Sequence, residues 1–308
     1  MILTITANPS VDISYPLDEL KIDAVNRVTN EIKTPGGKGV NVGKVLHQLG
    51  AEVVQSGFAG GVLGEFIKNS LNDLGHQTRF VDIKGATRNC VAILHEGKQT
   101  EINEKGPVIS AEERDKFIAS LDEISCGCDF INISGSLPQG LDPDFYEEII
   151  KYAKKSSKFI SVDTSGKALE AVIKAEIKPD LIKPNETEIS DLLGREITKD
   201  DLKEVLLAEP FIDIPYIIAS LGKDGAIIKI KDNIYSASVP VVTAVNPVGS
   251  GDSTLAGAIY AIAKNKTDID IIKTSMNAGL LNVLDPETAH INMDDFDKYY
   301  DQIIVEEI

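Results

Sequence analysis

Asn246-Pro247-Val248-Gly249-Ser250-Gly251-Asp252-Ser253 places two glycines, a serine and a carboxylate at a change of backbone type. Before it, Val239, Val241, Val242 and Val245 predict an extended or strand-like run; after it, Leu255, Ile259 and Ile262 recur at helical spacing. A helix that starts on such a turn leaves backbone N–H groups unpaired at the positive end of its dipole. That geometry suits a phosphate, or a phosphoryl group in transit. A carboxylate there repels an anion unless it has a separate job. The job that fits Asp252 is to accept a proton from an attacking hydroxyl. The plainer reading is a glycine turn capped by Asp252 or Ser253, and for an isolated Gly-Ser-Gly-Asp it is the commoner one. The rest of the chain has to decide.

A second turn of the same kind, Pro35-Gly36-Gly37-Lys38-Gly39, opens a helix striped by Val42, Val45, Leu46 and Leu49 and stopped by Gly50. Short apolar strands then alternate with amphipathic helices. Ile2–Thr6 breaks at Asn8-Pro9; Val53-Val54 leads to Gly60-Gly61; Phe130–Ile133 leads to Gly135-Ser136-Leu137-Pro138. Phe159–Val162 leads to Asp163, Leu181-Ile182 to Lys183-Pro184-Asn185-Glu186-Thr187-Glu188, and Tyr216–Ile218 to Ser220-Leu221-Gly222-Lys223-Asp224-Gly225. This alternation predicts an α/β fold with a mostly parallel sheet covered on both faces. In such folds ligands sit beyond the carboxyl ends of the strands, where these polar turns fall. Val11–Tyr15, Arg27–Lys33 and a hairpin over Asn89–Ile102 read instead as a small half-exposed sheet, a lid or clasp. No repeat or linker divides the chain, so it is expected to be one domain.

The composition excludes several functions. A net charge of −17 over 308 residues, with no Trp and 6% aromatics, argues against nucleic acid or an anionic membrane surface as partner. An anionic substrate then needs locally gathered Lys, Arg and backbone N–H. No apolar run is long enough to span a bilayer, and Met1-Ile2-Leu3-Thr4-Ile5 does not read as a signal peptide, so the chain is expected in the cytoplasm. Cys90, Cys126 and Cys128 read as reduced thiols, and the four scattered histidines as no metal cluster.

At the strand ends, glycines stand with cationic or amide side chains (Lys38, Asn41, Arg88, Lys183, Asn185) and carboxylates (Asp12, Glu188, Asp252). Each alone is ordinarily a turn glycine, a solvated surface group or a helix cap. Together they suit phosphoryl transfer, although no P-loop or protein-kinase motif is present.

The chain resembles the ribokinase/PfkB family of sugar kinases from end to end. Pro35 to Val42 matches its N-terminal signature and Asn246 to Ser253 its C-terminal one. Asn185-Glu186-Thr187-Glu188 and Ser220 to Gly225 match its intervening motifs. Asn8 to Asp12, Thr87-Arg88-Asn89 and Ser134 to Pro138 are similar to the phosphosugar branch, above all to tagatose-6-phosphate kinases, with fructose-1-phosphate kinases next. The resemblance implies a ribokinase-like three-layer, doubly wound fold with a β-sheet lid at about 12–33 and 89–104, often a dimer clasp. It implies ATP and Mg²⁺, a phosphosugar substrate, and a step of lactose and galactose catabolism through tagatose 6-phosphate.

Residue by residue, the resemblance makes Asp252 the catalytic base and the N–H groups of Gly249, Ser250 and Gly251 to Asp252 the anion hole. Asp12, Gly37, Lys38 and Asn41 would hold sugar hydroxyls, and Arg88 the substrate phosphate, helped by Ser136 and Arg27. Lys183, Asn185 and Glu188 would handle ATP phosphates and Mg²⁺, Glu188 through water. Ser220, Gly222 and Gly225 would line the nucleotide, with Asn277 or Asn282 near the adenine. A rival of another class is a catalytically silent sugar-phosphate or nucleotide sensor on the same fold, which would lack the base or its glycines. Both are present.

Overall fold

The computed structural model describes all residues, 1–308. Its strands are β1 (Ile2–Thr6), β2 (Ser10–Leu17), β3 (Ile32–Gly36), β4 (Val53–Ala59), β5 (Gln77–Thr78), β6 (Val81–Asp82), β7 (Arg88–His95) and β8 (Lys98–Asn103). They continue with β9 (Phe130–Ser134), β10 (Phe159–Asp163), β11 (Leu181–Ile182), β12 (Tyr216–Ser220), β13 (Ala226–Ile230), β14 (Asn233–Ser238) and β15 (Ile304–Glu307). The helices are α1 (Lys38–Gln48), α2 (Gly61–Asp73), α3 (Ala111–Ala119), α4 (Leu121–Ile124), α5 (Phe145–Lys155) and α6 (Gly166–Lys174). After them come α7 (Glu186–Leu193), α8 (Leu202–Leu206), α9 (Ser250–Ala263), α10 (Asp268–Leu284) and α11 (Phe296–Tyr300).

The main sheet runs β15-β14-β13-β12-β11-β10-β9-β1-β4-β5, with β6 also on β4. From β12 through β4 to β5 every pairing is parallel; β13, β14 and β15 extend it antiparallel. Ile131, Ile133, Ile160 and Val162 pack with α3 and α5 to α8 on one face; Phe130, Phe159, Leu181 and Ile218 pack with α1, α9 and α10 on the other. The result is the expected three-layer α/β fold. The chain goes from β1 to β4 on one side and later returns to β9 on the other. The strand order therefore reverses between β1 and β9, where open sheets of this kind leave a crevice.

Under α1 the sheet turns polar. Thr4 Oγ1 donates to Gln55 Oε1 at 2.5 Å, Gln55 Nε2 to the Val40 carbonyl at 3.3 Å, and Ser161 Oγ to Asn132 Oδ1 at 3.0 Å. These side chains are buried, and a buried polar group without its partner costs about 1–3 kcal/mol. The helix that carries Lys38, Asn41 and Lys44 is thus held in one register by directional bonds as well as by Val42, Val45 and Leu46.

The second sheet, β3-β2-β7-β8, matches the expected lid, with β2 and β7 parallel. Its edges differ from the sequence expectation. Sheet pairing begins at Ser10 and Arg88, and residues 18–31 form a loop; of the second stretch only Ile32 and Lys33 are strand, in β3, which runs on to Gly36. Val25 and Ile22 on that loop are exposed, so nothing packs them into a strand. The lid has little core of its own: it gives the buried apolar cluster only Val11, against Val40 of α1 and Ile67 and Leu71 of α2. Every residue of β8 is exposed. Hydrogen exchange should therefore be faster at the β7–β8 amides than in β1, β9 and β10 by at least about tenfold, since opening costs least where apolar burial is least. Equal protection in the two sheets would contradict a separately opening lid.

Candidate active site

Because the main strands run parallel, their carboxyl ends gather the predicted side chains along one edge. Asp163 ends β10, Lys183 and Asn185 follow β11, Ser220 ends β12, and Gly135-Ser136 follow β9. Across them lie the starts of α1 and α9. On α9, Gly249 adopts φ +82°, a conformation that strains any other residue, and a Cβ there would stand 2.9 Å from Thr288 Cγ2. The Gly251 and Asp252 N–H groups that follow have no carbonyl partner. A Cβ on Gly251 would stand 3.2 Å from Lys183 Nζ, so the bare backbone lets this ammonium close on the helix start. Free N–H groups, a dipole end and an ammonium together make a cradle for a phosphoryl group.

Asp252 is 7% exposed, and its Oδ2 accepts from Asn41 Nδ2 at 2.9 Å. Burial, and then the charge of Asp163, push its carboxyl up to about 6, against the opposing pull of Lys38, Asn41 and Lys183. A carboxyl so tuned ionises at neutral pH yet remains basic enough to take a hydroxyl proton as the hydroxyl attacks. Asp163 is the residue that the sequence reading left without a role. Its buried Oδ2 lies 3.3 Å from Lys38 Nζ and 3.7 Å from Lys183 Nζ, while its buried Oδ1 has no partner. The available signal was a charged residue closing a mostly apolar parallel strand. Burial works against the Lys38 ammonium, but Asp163, Asp252 and Glu188 outweigh it and raise its pKa.

On the lid side, the Asp12 carboxyl accepts from Ser10 Oγ at 2.6 Å; burial raises its pKa against Ser10, Lys44 and Arg88. Arg88 spends Nη1 on the Glu104 carbonyl (2.9 Å) and Nη2 on the Asn8 carbonyl (3.2 Å), leaving its buried Nε unpaired beside Asn8, whose Oδ1 is also unpaired. Asn185 caps α7: its side chain accepts from the Glu188 N–H at 2.8 Å, and Glu188 Oε2 accepts from the Asn185 N–H at 2.9 Å. That leaves Glu188 Oε1 free. Ser220 stands beside this cap through its N–H on the Pro184 carbonyl, and Gly222 and Gly225 form the turn from β12 to β13.

Two predicted side chains make no bond of their own, and one expectation changes. Arg27 lies exposed on the 18–31 loop with no hydrogen bond or ion pair, because that stretch is not a strand that would aim it. Ser136 is exposed beyond β9 and likewise unbonded. Asn277 and Asn282 are fully buried and expose no atom to the cleft. Asn277 Nδ2 bonds the Phe296 carbonyl at 2.9 Å. Asn282 supports the cradle from beneath, donating to the Val248 carbonyl at 2.8 Å and accepting from the Ala289 N–H at 2.8 Å.

No group of three or more His, Cys, Asp or Glu forms a metal site by itself. The unpaired Asp163 Oδ1 and the free oxygen of Glu188 are nevertheless hard donors, of the kind that bind Mg²⁺ when substrate phosphates complete its shell. The residues present fit such an ion.

A buried carboxylate at a helix start, backbone N–H groups with two lysines nearby, and a lidded crevice at the strand reversal suit a small-molecule phosphotransferase. The comparisons agree. The model of the pfkB family carbohydrate kinases matches residues 6–295, and the chain belongs to that family. A tagatose-6-phosphate kinase of Staphylococcus epidermidis is 46% identical over 310 residues, spanning all of both chains. Among solved structures, phosphofructokinase-2 of Escherichia coli with potassium superposes at a TM-score of 0.89 and 28% identity, covering 97% of this chain and 98% of that one. The same enzyme with fructose-6-phosphate gives 0.87 and 27%, at the same coverage.

The raised Asp252 carboxyl has a stability consequence. Its pKa in the fold exceeds the ordinary 3.8, so what it contributes to stability is present below that value and is lost as pH rises through about 6. Asp252→Asn cannot ionise. It should stabilise the fold at pH 8 by up to about 3 kcal/mol, with the gain vanishing near pH 4. Denaturant midpoints at the two pH values test this; a gain independent of pH would mean the carboxylate is not the strained group.

Proposed function

We propose that this carbohydrate kinase transfers the γ-phosphoryl group of ATP, with Mg²⁺, to a ketohexose monophosphate. The substrate we favour is D-tagatose 6-phosphate, giving D-tagatose 1,6-bisphosphate. The observation that carries the catalytic reading is the buried Asp252 carboxylate, held by Asn41 at the mouth of an N–H cradle. The choice of sugar is supported by the full-length likeness to tagatose-6-phosphate kinases.

The sugar lies under the lid, its C1 hydroxyl toward Asp252 and its phosphate toward the half-buried Arg88 guanidinium. Asp12, Lys38, Asn41 and the Gly37 backbone meet the hydroxyls between. Asp252 takes the C1 proton as the oxygen attacks the γ-phosphorus. The new O–P bond forms as the bond to the β-phosphate oxygen breaks, and ADP leaves. Charge on the transferring group is met by the Gly251 and Asp252 N–H groups and by Lys183, which act without reorganising. Asn185, Ser220, Gly222 and Gly225 border the nucleotide. Mg²⁺ at Asp163 and Glu188 would screen the phosphates. A homodimer closing through the lid belongs to the same reading.

Fructose 1-phosphate is the alternative substrate, since both sugars separate acceptor and phosphate by a six-carbon chain. Fructose 6-phosphate differs from tagatose 6-phosphate only at C4. The groups that face it stand near a lid through which water can replace a lost partner, which limits discrimination to about 1–3 kcal/mol. ADP release over the three sugars should therefore rank tagatose 6-phosphate first, with fructose 6-phosphate lower in kcat/KM by about tenfold to a hundredfold. A clear win for fructose 1-phosphate would overturn the substrate and leave the kinase.

For the base, kcat should fall by about 10²–10⁴ in Asp252→Asn. The wild-type rate should decline on an acid limb near the Asp252 value of about 6, because only the ionised form accepts a proton. A variant keeping most of its kcat would remove the assignment.

A further inference from the structure

Lys44 is a buried cation that the reaction just described does not use. It stands one turn after Asn41 on α1, only 6% exposed, and no substrate group is expected to reach it. Its Nζ donates to the Thr288 carbonyl at 3.0 Å and lies 3.5 Å from Glu287 Oε1, a carboxylate half in solvent. Burying an ammonium is costly, and a single main-chain carbonyl with one half-hydrated carboxylate is thin compensation. Burial accordingly lowers its pKa, against the charges of Glu287 and Asp12. A methionine would fill the same space without that cost, so stability alone gives no reason for the charge.

What Lys44 holds is a strap, residues 286–291, that runs directly beneath the phosphoryl cradle. Thr288 Oγ1 accepts from Asn246 Nδ2 at 3.1 Å, and the Pro286 carbonyl accepts from the same amide at 3.2 Å. Thr288 Cγ2 fills the space a Cβ on Gly249 would need, and the Ala289 N–H donates to Asn282 Oδ1, whose amide in turn holds the Val248 carbonyl. Gln48, one turn beyond Lys44, pins the far end: its Nε2 donates to the Ala289 carbonyl at 2.9 Å and its Oε1 accepts from the Ile291 N–H at 2.8 Å. One face of α1 therefore reaches the reaction centre twice, through Asn41 onto the base and through Lys44 and the strap onto the turn that bears the cradle.

Resting on the kinase reading above, we propose that Lys44 is a positioning residue for phosphoryl transfer: its clamp on Thr288 sets the Asn246–Gly251 turn in register with the Asn41–Asp252 pair. The ground-state complex tolerates a displaced cradle, because ATP and sugar have other contacts. The transition state does not, since its charge is met only by donors already in place. The clamp should thus be felt in kcat and little in KM.

The test compares the wild type, Lys44→Met, Thr288→Val and the double variant by steady-state ADP release with tagatose 6-phosphate. Lys44→Met should fold with a wild-type thermal midpoint and lose kcat by about tenfold to a hundredfold. KM for each substrate should stay within about twofold. Thr288→Val cuts the same strap from its cradle side, so the double variant should be no worse than the poorer single one. Should Lys44→Met also fall in thermal stability, that non-additivity still decides. Three results would overturn the proposal: an undiminished kcat in Lys44→Met, a rise confined to the KM of the sugar phosphate (which would place its effect at Asp12), or losses that multiply in the double variant. A wild type silent on every phosphosugar would instead defeat the kinase reading, and this inference with it.

Discussion

Two buried carboxylates, Asp163 and Asp252, share one water-poor edge of a chain whose net charge is −17. Each would be too costly to bury alone, and their mutual repulsion adds to the cost. Lys38 and Lys183 make the pair tenable by meeting Asp163, and Asn41 does so by bonding Asp252. These groups come from α1, α9 and the ends of β10 and β11, so the charge balance needs four elements placed to within hydrogen-bond tolerance. The layers of the fold supply that placement.

The same balance sets the chemistry. With more positive charge near it, Asp252 would be a weak base; with less, it would hold its proton at neutral pH. Lys38 and Lys183 lower its pKa while burial and Asp163 raise it, and the outcome lies near 6. An arriving phosphate finds two lysines already paired to a carboxylate, beside backbone N–H groups that no carbonyl uses. The site is electrostatically loaded before substrate arrives, which is what preorganisation requires.

The two sides of the cleft are built differently. The wall proposed for the nucleotide stands on the parallel sheet and on α9, each packed into a large apolar core. The wall proposed for the sugar is a thin sheet resting on α1 and α2, with an outer strand wholly in solvent. A rigid wall facing a lightly anchored one suits a reaction that must admit two anions and then exclude water. Helix α1 belongs to both walls, and the buried Thr4–Gln55–Val40 bonds beneath it hold that shared element in a single register.

Much of this was legible in the linear chain. The strand–helix alternation foretold the parallel sheet, because a strand buried on both faces needs an unbroken apolar run, and the Gly-rich turns foretold the helix starts because few other residues allow them. Asp252, Lys38, Asn41 and Lys183 could be singled out by type and by position at strand ends. The Arg27 stretch was read as strand because it has the composition of one, but it lacks a partner to pair with and forms a loop. Asn277 and Asn282 misled because an amide on a helix looks the same whether it faces a ligand or props a loop. Lys44 and Thr288 could not be read at all, and Asp163 showed only as a charge at the end of a strand. Their roles are distances to residues far away in sequence, and a buried charge declares itself only once the surrounding surface is folded away from water. Local pattern determined which elements form and which residue types could do chemistry; the tertiary structure alone decided which of them meet, because pairing and burial are properties of the assembled layers.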